Sequence, residues 1–483
     1  MVGAGQVEPS AYQGRTEYTA GDDGRREAAR MTRPVVAPNA MEARTLRKLR
    51  TRIIPFIMVL MVIASLDRMN IGFAALTMNK DLAITGEQYG FLAGIFFLGY
   101  FVFEIPSNLM LHRIGARVWL ARILISWGIV AMLTGFAKTA SHIYVLRFLL
   151  GVAEAGYFPG IVLYLTYWFR QKHLAQNVAL FITANPVANI LGAPLSGLIL
   201  DHAHWFGVGS WRWLLILEGA PAIVGGILTY LLLPARPAEA RFLTAQEKEW
   251  ITAELAREEQ QKIAAHPVGV GGVLAHGRVW YLTVIYFMAM ISWNGMSLWM
   301  PQIMKAFSRQ YSNTTVGILV MIPYLVALMV MIVVARHSDR TLERRYHAAV
   351  PLLIGAVCLA LLAMNRSGSA LVSVLLWCAA VSGACSVWGP FWSLPNEFLA
   401  GYSAAAGIAL INSIGNLGGF VGSYTIGAIS HRTSSFRGSL LFLCLSFVTS
   451  AILMLTLRKS TQPLVRTPAF EPSATLTPTD MNL

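Results

Sequence analysis

Four ionisable side chains stand in otherwise apolar runs. Asp67 and Arg68 lie in a run that begins at Ile53, and Arg147 and Glu154 in one that begins near His142. A charge at the centre of a bilayer costs about 2.5–3.5 kcal/mol, so four facing lipid would cost roughly 10–14 kcal/mol. They must face a cavity, one another, or both. With the first run entering from inside, Asp67 lies about 9 Å from the far edge of a 30 Å apolar layer, and Arg147 about 8 Å from the same edge. Glu154 follows Arg147 by seven residues, on the same helix face and about 10 Å deeper. Burial favours the neutral acid, and a nearby arginine restores the charge. An anion that engages the arginine therefore alters the carboxyl's hold on a proton. Asp67 and Glu154 are the expected proton carriers, and Arg68, whose planar fork matches two carboxylate oxygens, the expected anion contact. Arg147 would line the same cavity. The competing reading is a fixed ion pair that staples helices, or an Arg68 that snorkels to the surface.

Uncharged polar residues extend this set. Asn185 and Asn189 flank Pro186 one turn apart, and Asn412 and Asn416 repeat the spacing among Gly407, Gly415, Gly418, Gly419 and Gly422. Amides so placed bind substrate hydroxyls or glue helices together. Asn185 and Asn412 are retained as binding candidates, Asn189 and Asn416 as glue. In Trp388-Gly-Pro-Phe-Trp392-Ser393-Leu-Pro395, two prolines and a glycine interrupt a helix, which is tolerated where backbone lines a cavity. Trp392 would supply a wall there and Ser393 a donor; the alternative is a packing kink. Trp293 and Asn294 are weaker candidates of the same kind, and Tyr100 alone reads as packing or an interface anchor.

These residues need long helices to hold them. The chain is 55% hydrophobic and only 13% charged, with its apolar residues in blocks that a soluble core does not accommodate. Twelve spans are expected: 53–75, 89–111, 118–137, 142–165, 177–200, 212–233, 279–301, 315–335, 347–364, 370–393, 403–428 and 437–457. The net charge of +14 falls between them, which speaks for membrane topology rather than nucleic-acid binding. The N-terminal tail, loops 112–117, 166–176 and 336–346, and the tail opening at Arg458 are basic; the alternate loops are sparse. Both termini are therefore expected in the cytoplasm. Cys358, Cys378, Cys385 and Cys444 sit in apolar blocks without a CxxC pair and read as packing residues, with no metal site or cofactor expected. No cleavable signal peptide is expected. Met31 and Met41 precede the basic stretch 44–52, and Met41 is the expected start. The long connection 234–278 divides the spans six and six. Thr244-Ala-Gln-Glu247 has the form of a capping box opening a charged cytoplasmic helix.

His112-Arg113-Ile-Gly115-Ala-Arg117 after the second span and Ser338-Asp339-Arg340 after the eighth suggest duplicated halves around a midplane site. With Asp67-Arg68-Met-Asn70, Phe103-Glu104-Ile-Pro106-Ser107-Asn108, Arg147-Phe-Leu-Leu-Gly151-Val-Ala-Glu154-Ala-Gly156 and Ala409-Leu-Ile-Asn412-Ser-Ile-Gly415-Asn416, the chain resembles the major facilitator superfamily. Within it, residues 44–458 resemble the anion:cation symporter branch of bacterial organic-acid permeases. Where that superfamily usually has an acidic residue in the first basic loop, His112 stands.

The resemblance implies an all-α membrane protein of twelve helices in two six-helix lobes. Its expected parts are a tail 1–50, a lobe 51–233, a linker 234–278, a second lobe 279–457 and a tail 458–483. It implies proton symport of small organic acid anions such as tartrate, sugar acids or aromatic acids. The chain would act as a monomer in a bacterial inner membrane, with the proton as the coupling ion. It gives Arg68 and Tyr100 substrate contacts, and Arg113, Arg117, Asp339 and Arg340 roles in conformational gating. Export by proton antiport is the alternative, for which Gly192-Ala-Pro194-Leu-Ser-Gly197 is only a partial echo of the antiporter element. A membrane enzyme or sensor would want HExxH, GxSxG or a signalling domain, and none stands in a fitting context.

Overall fold

The computed structural model describes residues 38–264, 274–307, 310–365, 369–395 and 401–457. Residues 1–37 of the expected tail 1–50, the expected tail 458–483, the Pro267 segment and the Asn396-Glu397 loop lie outside them; the rest of the first tail is helical, within Pro38–Arg52. Residues Met1–Arg47 form a small unit of their own, helical from Pro38, and Lys48–Leu483 form the body.

Every regular element among the described residues is helical. In the first lobe, span one is Ile54–Asp81, span two Gly86–Ile114, span three Ala116–Thr134 and span six Ser210–Leu232. Span four divides into Ala140–Glu154 and Tyr157–Thr166, and span five into Gln171–Ile182 and Ala184–His202. In the second lobe, span seven is Gly277–Phe307, span eight Asn313–Thr341, span nine Arg345–Met364 and span twelve Arg437–Thr456. Span ten divides into Ala370–Ser386 and Trp388–Ser393, and span eleven is Gly401–Thr433.

Eleven of these twelve are long and apolar enough to cross a membrane. Span eleven forms as a helix, but Asn412, Asn416 and its glycines dilute its apolar content. The breaks have local causes. Gly156 adopts φ +83°, open to glycine and strained for other residues, and so ends the helix just past Glu154. Span ten breaks at Val387, ahead of Gly389 and Pro390. Starts are encoded too. Thr85 and Gln88 form a capping box, and Thr139 and Ser312 accept the amides of His142 and Thr315.

Glycine sets how closely the helices approach. Within the first lobe, a Cβ on Gly99 would strike the Phe148 carbonyl, and one on Gly151 the Phe96 carbonyl. Spans two and four therefore meet backbone to backbone, as Gly151 in the sequence leads one to expect. Between lobes the same device seals one end of the bundle. Gly90 faces the Ser423 carbonyl at 2.7 Å from an added Cβ, and Gly72 the Leu298 carbonyl at 2.8 Å. Gly317 abuts the Ala193 carbonyl, and Gly197 that of Asn313. Asp201, at the end of span five, caps span eight: it accepts the amides of Asn313 at 3.1 Å and Thr314 at 2.8 Å.

At the opposite end the linker helix Ala245–Ala264 is docked, not a free tether. The expected capping box forms, with Thr244 N donating to Glu247 Oε2 at 2.8 Å and Glu247 N to Thr244 Oγ1 at 3.3 Å. Lys48 reaches the same carboxylate at 2.7 Å, and Arg170 grips Glu254 and Glu258 at 2.9 and 2.8 Å. Burial pushes the Glu247 carboxyl up, but the Lys48 ammonium and the Thr244 amide overcome it and hold the group below the usual carboxylate range.

Candidate functional site

A cavity of about 110 Å³, partly open to solvent, lies between the lobes away from the glycine-sealed end. Arg68, Tyr100, Arg147, Asn185, Asn189, Trp392, Asn412 and Asn416 line it, as do Trp293 and Asn294. Most of the sequence-derived binding candidates thus meet in one space. Ser393 is not among the lining residues; its hydroxyl bonds back to the Gly389 carbonyl at 3.2 Å within its own helix.

The four charges divide differently from the expectation of a common cavity wall. The two arginines line the cavity, whereas Asp67 and Glu154 are each 1% exposed and stand behind it. Arg68 Nε donates to Glu154 Oε1 at 2.7 Å, and a second guanidinium nitrogen closes on the same oxygen. Glu154 is the last residue of its half-helix, where the helix dipole disfavours an anion, so Arg68 supplies what the backbone does not. The Arg68 guanidinium also lies over the rings of Tyr100 and Phe96, at 5.4 and 5.6 Å, and is partly open to the cavity. Arg147 rests over the other side of the site at 5.1 Å from the Phe96 centroid.

Asp67 turns away, into the lobe's interior. Its oxygens accept Trp127 Nε1 at 2.6 Å and Asn70 Nδ2 at 3.1 Å, and no arginine contacts it directly among the described residues. Glu218 on span six shares this interior; it accepts Ser196 Oγ at 2.7 Å and interacts electrostatically with Asp67. Turning inward rather than toward Arg147 follows from the residues: Trp127 and Asn70 offer neutral donors at the same depth. Glu218 escaped the sequence reading because its run, Leu-Ile-Leu-Glu-Gly-Ala-Pro, lies near the end of a span where a carboxylate reads as a surface residue.

On the second lobe, Asn412 Nδ2 donates to Glu104 Oε1 at 2.7 Å, and Tyr286 Oη donates to Asn412 Oδ1 at 3.3 Å. Tyr286 stacks on Phe391 at 5.3 Å and packs against Trp388 and Trp392. Glu104 entered the sequence reading only as a motif letter, and Tyr286 not at all. Asn185 Oδ1 accepts the Ser65 hydroxyl at 2.7 Å, and Asn185 O the Asn189 amide at 3.0 Å.

The gating candidates lie outside this cavity. Asp339 pairs with Arg344 at 2.6 Å in its own loop and is largely exposed; Arg340 is exposed. Arg117 donates to the Tyr230 carbonyl at 2.7 Å at the end of span six, while Arg113 is exposed.

Twelve helices in two lobes with a central cavity are the architecture of a transporter. The chain belongs to the Major Facilitator Superfamily, whose family model matches residues 57–423. It is a multi-pass membrane transporter and not an enzyme. It is 45% identical over 433 residues to a candidate tartrate transporter of Agrobacterium vitis, covering 89% of this chain and 95% of that one. It is 36% identical over 415 residues to a quinolone resistance transporter of Acinetobacter baumannii, covering 85% and 94%. The partially occluded inward-open xylose transporter XylE from E. coli shares the fold at a TM-score of 0.65 and 17% identity, covering 84% of this chain and 98% of that one.

Proposed function

We propose that this chain imports small organic acid anions together with protons across a bacterial inner membrane, by alternating access. The observation that carries the reading is the Arg68–Glu154 pair at the cavity wall, an arginine facing the cavity with its carboxylate partner buried behind it. A substrate carboxylate that engages Arg68 draws charge compensation away from Glu154. A buried carboxylate that loses its cation is strongly destabilised, and a proton restores the balance. Asp67, whose hydrogen bonds come from neutral donors alone, is the second proposed proton carrier. The relative named for tartrate supports a hydroxylated dicarboxylate among the substrates.

Arg50, Arg117, Arg170 and the docked linker gather at the end opposite the glycine seal, which supports a cytoplasmic side there and cytoplasmic termini. On that assignment the cavity opens inward. Arg113, Arg117, Asp339 and Arg340 act in the lobe movement, the chain works as a monomer, and no cofactor is required. Drug export is the second reading, supported by the quinolone resistance relative.

Proteoliposomes test the two together. Labelled tartrate should accumulate under an inward proton gradient and faster as external pH falls, while quinolone should not move. Asp67→Asn and Glu154→Gln should each lose uphill accumulation yet keep exchange of labelled for unlabelled substrate. If the wild type ignores the gradient, or both variants still concentrate substrate, proton coupling through these residues is wrong.

A further inference from the structure

Asn412 faces the cavity from the second lobe, but its orientation is fixed from the first. Glu104, on span two, is 1% exposed and does not line the cavity. Its Oε1 takes Asn412 Nδ2 at 2.7 Å, and no cation lies within ion-pair distance of it among the described residues. A carboxylate offers only acceptors, so the amide must turn its nitrogen toward Glu104. The Tyr286 hydroxyl then donates to Oδ1 at 3.3 Å from span seven and completes the arrangement. An amide held at both ends cannot rotate to suit its guest. One lone pair of Oδ1 and one hydrogen of Nδ2 remain for it.

One small group satisfies both. A hydroxyl donates to the oxygen and accepts from the nitrogen; a methylene does neither, and a second carboxylate has no proton for Oδ1. Arg68 lines the same cavity from the other lobe and takes a carboxylate. We infer that Glu104 is a specificity-determining residue: by fixing Asn412 it selects acids that carry a hydroxyl over the same acids without one. A site built to bond a hydroxyl discriminates steeply against an analogue lacking it, because the site's own polar groups are then left unmet. Glu104 touches no substrate, so it is a positioning residue. This inference rests on the organic-acid reading and narrows it to hydroxy acids.

The test is a selectivity ratio in proteoliposome exchange, with tartrate, malate and succinate competing against labelled tartrate. The wild type should prefer malate over succinate by at least about tenfold, tartrate more so. Glu104→Gln, which keeps a neutral acceptor, should reduce the preference several-fold. Glu104→Met, similar in shape but without an acceptor, should bring it to within about twofold of none, the loss falling on tartrate and malate rather than on succinate. Asn412→Ala should match Glu104→Met, and the double variant should lose nothing further. Equal weakening toward all three acids in both Glu104 variants would make the role merely structural and overturn the inference, as would an unaltered ratio. A wild type that exchanges these acids without a hydroxyl preference defeats this inference alone. A wild type that exchanges none defeats the organic-acid reading and takes this one with it.

Discussion

Replacing Arg68 by lysine keeps the charge and removes the fork, and the structure fixes how much that should matter. One edge of the guanidinium is committed to Glu154, through Nε at 2.7 Å and a neighbouring nitrogen. The stacking over Tyr100 and Phe96 makes no contact that a substrate must supply, and so it contributes little to the difference. What a substrate carboxylate gains from arginine is the second edge, a charge-assisted hydrogen bond that lysine, busy with Glu154, does not replace. Such a bond is worth about 1.5–3 kcal/mol. The side chain is 30% exposed, so solvent screening argues for the lower part of that range. About 1.5–2 kcal/mol corresponds to roughly a ten- to thirtyfold rise in Kd. Equilibrium binding of labelled tartrate to purified Arg68→Lys reads this directly, and counterflow shows whether the bound substrate still crosses. Affinity within twofold of wild type would refute the reasoning and leave Arg68 as a helix-pairing residue.

Three further outcomes are expected. Gly317→Ala should hinder closure of the seal, since its Cβ meets the Ala193 carbonyl; uptake should fall while substrate affinity in detergent holds, and normal uptake would show that the seam yields easily. Asp339→Asn should slow turnover with little change in affinity or thermal stability, because its exposed pair with Arg344 is worth at most about 1 kcal/mol; a lost binding signal at normal protein level would contradict a gating role. Reporter fusions at Glu247 and at the C-terminus should both give a cytoplasmic signal, and a periplasmic one at either point would undo the proposed orientation.

Helix number was legible because lipid imposes a simple code. Long apolar runs had to be spans, and charges inside them had to find partners. That logic put Arg68 and Glu154 among the charges that must share a cavity or a partner, but it set Glu154 about 10 Å deeper than Arg147 and so did not foresee that Arg68 reaches it. It failed for Asp67, for which depth gives the level but not the direction of the side chain. Trp127, sixty residues on and silent as a motif, drew the carboxylate inward. Asn412 was legible as a polar group in a span. Its partner Glu104 was not, because that bond crosses between lobes and 308 residues of chain. The seal was hidden for the same reason: a glycine in a span announces close approach, but Gly317 does not announce Ala193.

The charge balance of the first lobe bears on direction. Its described interior holds the acids Asp67, Glu104, Glu154 and Glu218, all at most 4% exposed, against the two arginines Arg68 and Arg147. Two acids are therefore left without a compensating cation, and each would be costly to hold ionised in so dry a place. The cheapest neutral arrangement gives Asp67 and Glu218, which share the lobe's interior, a proton apiece and leaves Glu104 and Glu154 ionised against the two arginines. A monoanionic substrate on Arg68 then adds one negative charge to a region already balanced, and restoring the balance takes one more proton. Substrate and proton thus favour each other's binding, by linkage and in equal measure. An antiporter needs the reverse, with substrate and proton competing for the same compensation, and a cationic or neutral drug arriving beside these acids would set up that competition. The excess of buried acids is compatible with either cargo. The arginine facing the cavity repels a cation and attracts an anion, which supports the proposed anion cargo over a cationic drug.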